Sequence, residues 1–308
     1  MRKVIGIGET VFDIIFRNNK PIGGVPGGST FNSMISLGRC GIPGVFLSET
    51  GDDKIGDIVC SYLEENGVSS SGVDKGGKSH ISLAFLNEKN DAEYLFYKDH
   101  PHDRASMSLP EINADDIVLF GSYYAINPVI RQKVKSLIEY AHNQGAIIYY
   151  DINFRSSHAH ERDSLLSNIE ENFAFADIIR GSNEDFQIVY NENDYNKLYS
   201  TINKCNNNKV LLYTCGADPT TLKSSTSNEI KMNIKPIPTV STIGAGDNFN
   251  AGFIYSLIRD NIRKADIHRG LSSDQWLSVL NTAQSFSAEC CQSIDNTISL
   301  EFAKKMKL

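Results

Sequence analysis

The stretch Ser241-Thr242-Ile243-Gly244-Ala245-Gly246-Asp247-Asn248-Phe249-Asn250-Ala251-Gly252 gathers the residue types that phosphoryl chemistry needs. Gly244, Ala245 and Gly246 are small enough for backbone N–H groups to turn inward together and approach an anion. Phe249, Phe253, Ile254, Leu257 and Ile258 follow at helical spacing, so the small residues open a buried helix whose positive end faces the same anion. A carboxylate at this place would repel a phosphate as its ligand. It is well placed to take a proton from an attacking hydroxyl, which makes Asp247 the candidate general base. The plainer alternative is a glycine-rich loop in which Asp247 only starts a helix.

The elements that must position such a base alternate strand and helix, as in a mostly parallel α/β sheet. Val4-Ile5-Gly6-Ile7-Gly8 reads as a buried strand ending in glycine. Ile117–Ser122, Ile147–Tyr150, Ala176–Ile179 and Val210–Thr214 read as further strands, while Ile130–Tyr140 and Trp276–Cys291 carry helical periodicity. The strand at Ile147 releases Asp151, Asn153 and Arg155 at its carboxyl end, where open α/β sheets bind ligands. Gly23–Asn32 is a glycine-dense loop running into an apolar helix, and such a loop lets a ligand approach the backbone closely. Ile81–Leu86 and Tyr94–Tyr97, joined by turn-rich residues, predict a β-hairpin.

Two decoys fail on context. Gly6-x-Gly8 lacks the third glycine of a dinucleotide-binding turn, since Val11 stands there and Phe12–Phe16 looks extended. Gly72–Ser79 fits G-x-x-x-x-G-K-S letter for letter, but no buried strand precedes it and no helix follows, so it reads as a surface loop.

With 308 residues, 41% apolar, the chain is long enough for a large α/β core. Its net charge of −7 and the lack of a long Lys/Arg run exclude electrostatic support for nucleic acid or anionic membranes. Six scattered cysteines without zinc spacing point to reduced thiols, and no apolar stretch is long enough to span a bilayer. A cytoplasmic protein with a small-molecule partner is the expectation.

The string 241–252 resembles the C-terminal signature of the ribokinase-like (PfkB) carbohydrate kinases, D-T-x-G-A-G-D-x-F-x-A-G. It matches at Thr242, Gly244, Ala245, Gly246, Asp247, Phe249, Ala251 and Gly252, with Ser241 replacing the first Asp. The likeness extends in order along the chain, through Gly8-Glu9 and Asp13, then Gly27, Gly28 and Asn32, then D-x-N-x-R at Asp151, Asn153 and Arg155, with Ile152 for Pro. It implies one ribokinase-like α/β domain over 1–308, a central mostly parallel sheet flanked by helices, with a small β lid from roughly 12–25 and 80–105. It also implies an ATP-dependent sugar kinase, nearest to fructokinases, with 2-keto-3-deoxygluconate kinase, ribokinase and nucleoside kinases sharing the fold. A kinase-like sugar-binding protein with weak turnover is the rival from another class.

In that family the Asp at position 247 is the base and the amides around Gly244, Ala245 and Gly246 form the anion hole. Asp13, Gly27, Gly28, Asn32, Lys98, Asn153 and Arg155 fall where relatives hold the sugar, Lys98 standing for a more usual Arg. Asn183, Thr214, Gly216, Gly244, Gly246 and Asn281 fall where relatives hold ATP. The family's N-x-x-E segment, tied to Mg2+, begins at Asn183, with Phe186 at the Glu position and Glu184 or Asp185 as substitutes. Pro219 replaces a common glycine beside Gly216, and Asp53 is an outside candidate near the substrate. Relatives often bind K+ through the Asp that Ser241 replaces, so weak potassium dependence is expected. Lid strands in the family often pair between subunits, which implies a homodimer.

Overall fold

Runs such as Val4-Ile5-Gly6-Ile7 and Ile147-Ile148-Tyr149-Tyr150 are apolar at every position, so both faces of these strands have to be covered. The computed structural model, which describes residues 2–87, 92–97, 110–205, 209–226 and 229–308, meets that demand with a sheet between two helix layers. The chain begins β1 (Val4–Ile7), β2 (Val11–Arg17), β3 (Lys20–Gly27), α1 (Ser29–Arg39), β4 (Gly44–Thr50), α2 (Lys54–Glu65) and β5 (Val68–Lys75). It continues β6 (Ile81–Leu86), β7 (Ala92–Tyr97), β8 (Ile117–Gly121), α3 (Arg131–Asn143), β9 (Ile147–Asp151), α4 (Arg162–Phe175), β10 (Ile178–Ser182), α5 (Asn183–Tyr190) and α6 (Tyr195–Asn203). It closes with β11 (Val210–Cys215), β12 (Asp218–Ser224), β13 (Ile230–Met232), α7 (Ala245–Arg259), α8 (Lys264–Arg269), α9 (Ser273–Cys290) and α10 (Leu300–Lys305).

The large sheet has nine strands in the order β13-β12-β11-β10-β9-β8-β1-β4-β5. The seven from β11 to β5 run parallel, and β12 and β13 add an antiparallel edge. Alternate residues serve opposite faces: Leu119, Tyr149 and Leu212 join the core built by α1, α7 and α9, while Val118, Tyr150 and Leu211 join the one built by α3 to α6. Burying each such large side chain contributes about 1.5–3 kcal/mol. Helices α7 and α9 cross closely because residue 252 is glycine; a methyl group there would lie 2.8 Å from Ala283 Cα.

Strand order reverses between β1 and β8, and the crevice outside the carboxyl ends there is where such sheets take ligands. The second sheet, β3-β2-β6-β7, grows from that edge, because β2 and β3 are inserted between β1 and α1 and β6 and β7 between β5 and β8. Asn18 and Asn19, both with positive φ of 50° and 60°, close the β2–β3 hairpin, the left-handed pair that a two-residue turn demands.

Two expectations change. Much of the glycine-dense segment 23–32 is strand, since β3 runs to Gly27 before α1 begins. Gly72–Lys75 is not surface loop but the end of edge strand β5, paired to β4. Asp53, in a segment that reads as a turn and helix start, is indeed the N-cap of α2, and its carboxylate accepts from Gly56 N–H and from Ser79. The lid strands span 11–27 and, among the described residues, 81–97.

Candidate active site

Gly244 caps α7 with φ 78°, a left-handed conformation that glycine adopts freely, and a methyl group there would meet Asn296 O at 2.6 Å. Asn248 secures the turn, donating from Nδ2 to Gly244 O and to Asn296 O, both at 2.8 Å. The Ala245 N–H is spent on Thr242 O at 3.2 Å, so it is not an open donor. The N–H groups of Gly246 and Asp247 find no acceptor among the described residues. They are the open amides of the first turn of α7, where the helix dipole is most positive.

Asp247 sits at the third position of α7, 8% exposed. Its Oδ1 accepts from Ser29 Oγ at 2.7 Å and its Oδ2 from Asn32 Nδ2 at 2.9 Å. Burial raises the Asp247 pKa above the ordinary carboxylate value, against the opposing pull of Ser29, Asn32 and the charge of Arg155. A carboxylate pushed up in this way is a stronger base. Asn32 Oδ1 is buried without a partner, an acceptor left over for a ligand hydroxyl. Gly28, N-cap of α1 at φ 136°, packs its Cα against Glu9 O, and its own carbonyl accepts the Asn32 N–H at 2.8 Å.

Between lid and core lies a small cavity where Asp13, Val25, Ala84 and Tyr94 face Ser241, Ile243 and Asn296. Ser82 Oγ donates to Asp13 Oδ1 at 2.5 Å, and burial lifts the Asp13 pKa to about 6. Gly27 leaves room for this carboxylate, since a methyl group there would be 3.0 Å from Asp13 Oδ2. Tyr94 is pushed up to about 12 by burial and then by Asp13, and it feels Arg155 and Asp247 as well, which puts the phenol among the charged groups of the site. Arg155 is exposed at the lip. Asn153, held at φ 38°, donates to Ser122 Oγ at 2.6 Å, so its amide fixes two strand ends. Lys98 lies outside the described residues.

Behind the open amides is a buried cation that the sequence reading passed over. Arg180 Nη1 donates to Asp151 Oδ1 at 3.0 Å and Nη2 to Thr214 Oγ1 at 2.8 Å. Asp151 Oδ2 accepts in turn from Asn250 Nδ2 at 2.8 Å, and Asn250 Oδ1 from Tyr149 OH at 2.9 Å. Burial alone would lower the Arg180 pKa, but Asp151 and Asp185 outweigh it and hold the guanidinium firmly charged. The one available signal was a charged residue inside the otherwise apolar strand Ile178-Ile179-Arg180-Gly181. Ser29, Tyr94 and Asn296 were missed as well, because only the tertiary fold carries them to the base or the lid cavity.

On the nucleotide side the structure brings Thr214 to Arg180 and leaves Gly216, at φ 55°, in the exposed β11–β12 turn. Asn183 opens α5 half-buried, and Glu184 beside it is exposed. The acid of the polar-x-x-acid pattern is Asp185, three residues after Ser182, one step earlier than the frame starting at Asn183. Ser182 and Asp185 form a capping box, and Asp185 Oδ1 also accepts from Phe154 N–H at 2.7 Å. Phe186 is core, stacked on Tyr213. Asn281 lies on the outer face of α9 in a different hollow, beside Arg259, Asp274 and Ser278. Among the described residues no group of three or more His, Cys, Asp or Glu could hold a metal ion. A metal held by the protein alone does not fit, because Asp185 already accepts from Phe154 N–H, Ser182 N–H and Ser182 Oγ and belongs to no such group.

The model of the pfkB family of carbohydrate kinases matches residues 1–277, and the chain belongs to that family. It is a phosphotransferase with a sugar hydroxyl as acceptor. It is 30% identical over 250 residues to the 5-dehydro-2-deoxygluconokinase of Geobacillus thermodenitrificans (strain NG80-2), covering 75% of this chain and 72% of that one. It is 27% identical over 270 residues to the fructokinase of Rhizobium leguminosarum bv. trifolii, covering 84% of this chain and 81% of that one. The crystal structure of fructokinase with bound ATP from Xylella fastidiosa superposes with a TM-score of 0.80 at 19% identity, over 99% of this chain and 98% of that one. No helix among the described residues is long and apolar enough to cross a membrane.

Proposed function

We propose that this carbohydrate kinase transfers the γ-phosphoryl group of ATP to a hydroxyl of a fructose-like keto sugar, with Asp247 as general base. The observation that carries the reading is the buried Asp247 carboxylate, oriented by Ser29 and Asn32 beside the open amides of α7 and within electrostatic reach of the lid's Tyr94. The sugar lies under the lid, with Asp13 accepting from its hydroxyls, and the unpartnered Asn32 Oδ1 accepts another. As the attacking oxygen bonds to the γ-phosphorus, its proton passes to Asp247 and the bond to the bridging oxygen of ADP breaks. The Gly246 and Asp247 amides hold the charge that spreads over the transferred group. The triphosphate runs toward Thr214 and Gly216. Asn183, half-buried at the start of α5, is the further nucleotide contact that the family likeness implies, while Asn281 faces a separate hollow. Magnesium would arrive with the triphosphate, and neutralising phosphate charge is the chemistry it would supply.

The relatives support a six-carbon keto sugar and divide over its ends. Identity to the 5-dehydro-2-deoxygluconokinase makes a sugar acid the second acceptor to test, and Arg155 is the exposed cation at the lip that would meet its carboxylate. The six free cysteines agree with a reducing cytoplasm. The exposed Phe96 and Tyr97 on lid edge β7 agree with a homodimer through the lid.

A coupled ADP-release assay over fructose, both keto-sugar acids, ribose and nucleosides tests the reading. Sugar-dependent release abolished by Asp247→Ala supports it. Tight sugar binding without turnover in the wild type would replace it with the binding-protein alternative.

A further inference from the structure

Five N–H groups project from a guanidinium, and Arg180 uses two of them. Its Nε is buried with no acceptor among the described residues, and each Nη keeps one N–H in excess. Such a group, 8% exposed, is rarely left so under-used. Its place explains the surplus: a methyl group on Gly246 would lie 2.9 Å from Arg180 Nη2 and 3.1 Å from Nη1, so the guanidinium packs directly against the backbone of the open first turn. Four converging features meet here, namely the α7 dipole, the two open amides, the surplus donors and the Thr214 hydroxyl at the end of β11. They gather hydrogen-bond donors and one fixed cation at one spot, the cation held in place by Asp151.

We infer that Arg180 is a positioning residue for phosphoryl transfer, a pre-set cation behind the amides of Gly246 and Asp247 that favours the charge distribution of the transferring γ-phosphoryl group over that of the bound substrates. This rests on the kinase reading above and deepens it. The ion pair with Asp151 and the Asn250–Tyr149 chain behind it keep the guanidinium from swinging, so no reorganisation is needed when charge develops. Glycine at 246 then has a reason besides its freedom of backbone: any side chain would displace the cation.

The variants Arg180→Met and Arg180→Lys test this, with Lys209→Met as a control that removes another buried cation away from the site. In the wild type, sugar-dependent turnover must first be present; its absence defeats the kinase reading and not this one. Given turnover, Arg180→Met should lower kcat about 10²-fold with the sugar KM within about threefold. Binding of ADP with aluminium fluoride and sugar should weaken at least tenfold while binding of ADP alone changes less than threefold. Lys209→Met should lose stability without this split. Should Arg180→Met fail to fold, Arg180→Lys keeps the charge and should retain kcat within about tenfold. Equal weakening of ADP and of the fluoride complex, or an unchanged kcat in Arg180→Met, would overturn the inference.

Discussion

Asp247, buried, and Asp13, half-buried, are both carboxylates raised above their ordinary pKa, yet the base site and the lid hold them differently. Asp247 is gripped on both oxygens, stands on a helix inside the main core and has a Ser33 hydroxyl bonded to its own carbonyl. Asp13 accepts from Ser82 on one oxygen and stands on a sheet whose outer strand β7 exposes Leu95, Phe96 and Tyr97. The proposed base is thus mounted on a helix packed in the main core, and the proposed sugar contact on a four-stranded sheet with an exposed outer strand.

The comparison breaks most sharply at the base. Asp247→Ala should cut kcat about 10²–10⁴-fold in the ADP-release assay, with melting temperature not reduced, since an uncomfortable buried carboxylate is removed. A kcat within tenfold of wild type would mean that the base lies elsewhere. Gly246→Ala should come next, lowering kcat about 10–100-fold through displacement of Arg180, while a methyl at Gly244 should chiefly cost stability, about 1–2 kcal/mol for the left-handed φ alone.

Replacing Asp13 by Asn should raise the sugar KM about tenfold with kcat little changed. The pH behaviour separates the two acids. The base must be ionised, so kcat falls as pH is lowered through the raised Asp247 value, above the usual carboxylate range. Wild-type sugar KM should also rise as pH falls through about 6, and Asp13→Asn should lose that inflection. Stability has the opposite sign: a carboxyl whose folded pKa is about 6 against 3.8 ordinarily favours folding when protonated, and that contribution is lost as pH rises through 6. Asp13→Asn should therefore be more stable than wild type at pH 8, by at most about 3 kcal/mol in denaturant titration.

The smallest effect concerns potassium. Ser241 is neutral and its Oγ is engaged by Ile243 N–H at 3.2 Å, so potassium should stimulate less than about twofold over an ionic-strength control. A many-fold stimulation would show that the core loop takes a cation without the missing Asp.

Local composition determined a good deal by itself. Apolar runs dictated the parallel strands, small residues before an apolar helical stripe dictated the turn at Gly244–Gly246, and the carboxylate at Asp247 followed from the chemistry such a turn invites. Those features are set by neighbours in sequence, where sterics and periodicity act. Contacts between residues far apart in the chain decided the rest: Ser29 meeting Asp247, Arg180 meeting Gly246, Tyr94 coming near the charged groups beneath the lid. Even the one-residue frame of Ser182 and Asp185 emerged only with the helix, because a capping box is defined by where the strand stops. A lone arginine in a strand has no legible partner until the sheet stacks its neighbours beside it, so the field that serves the chemistry is a property of the fold.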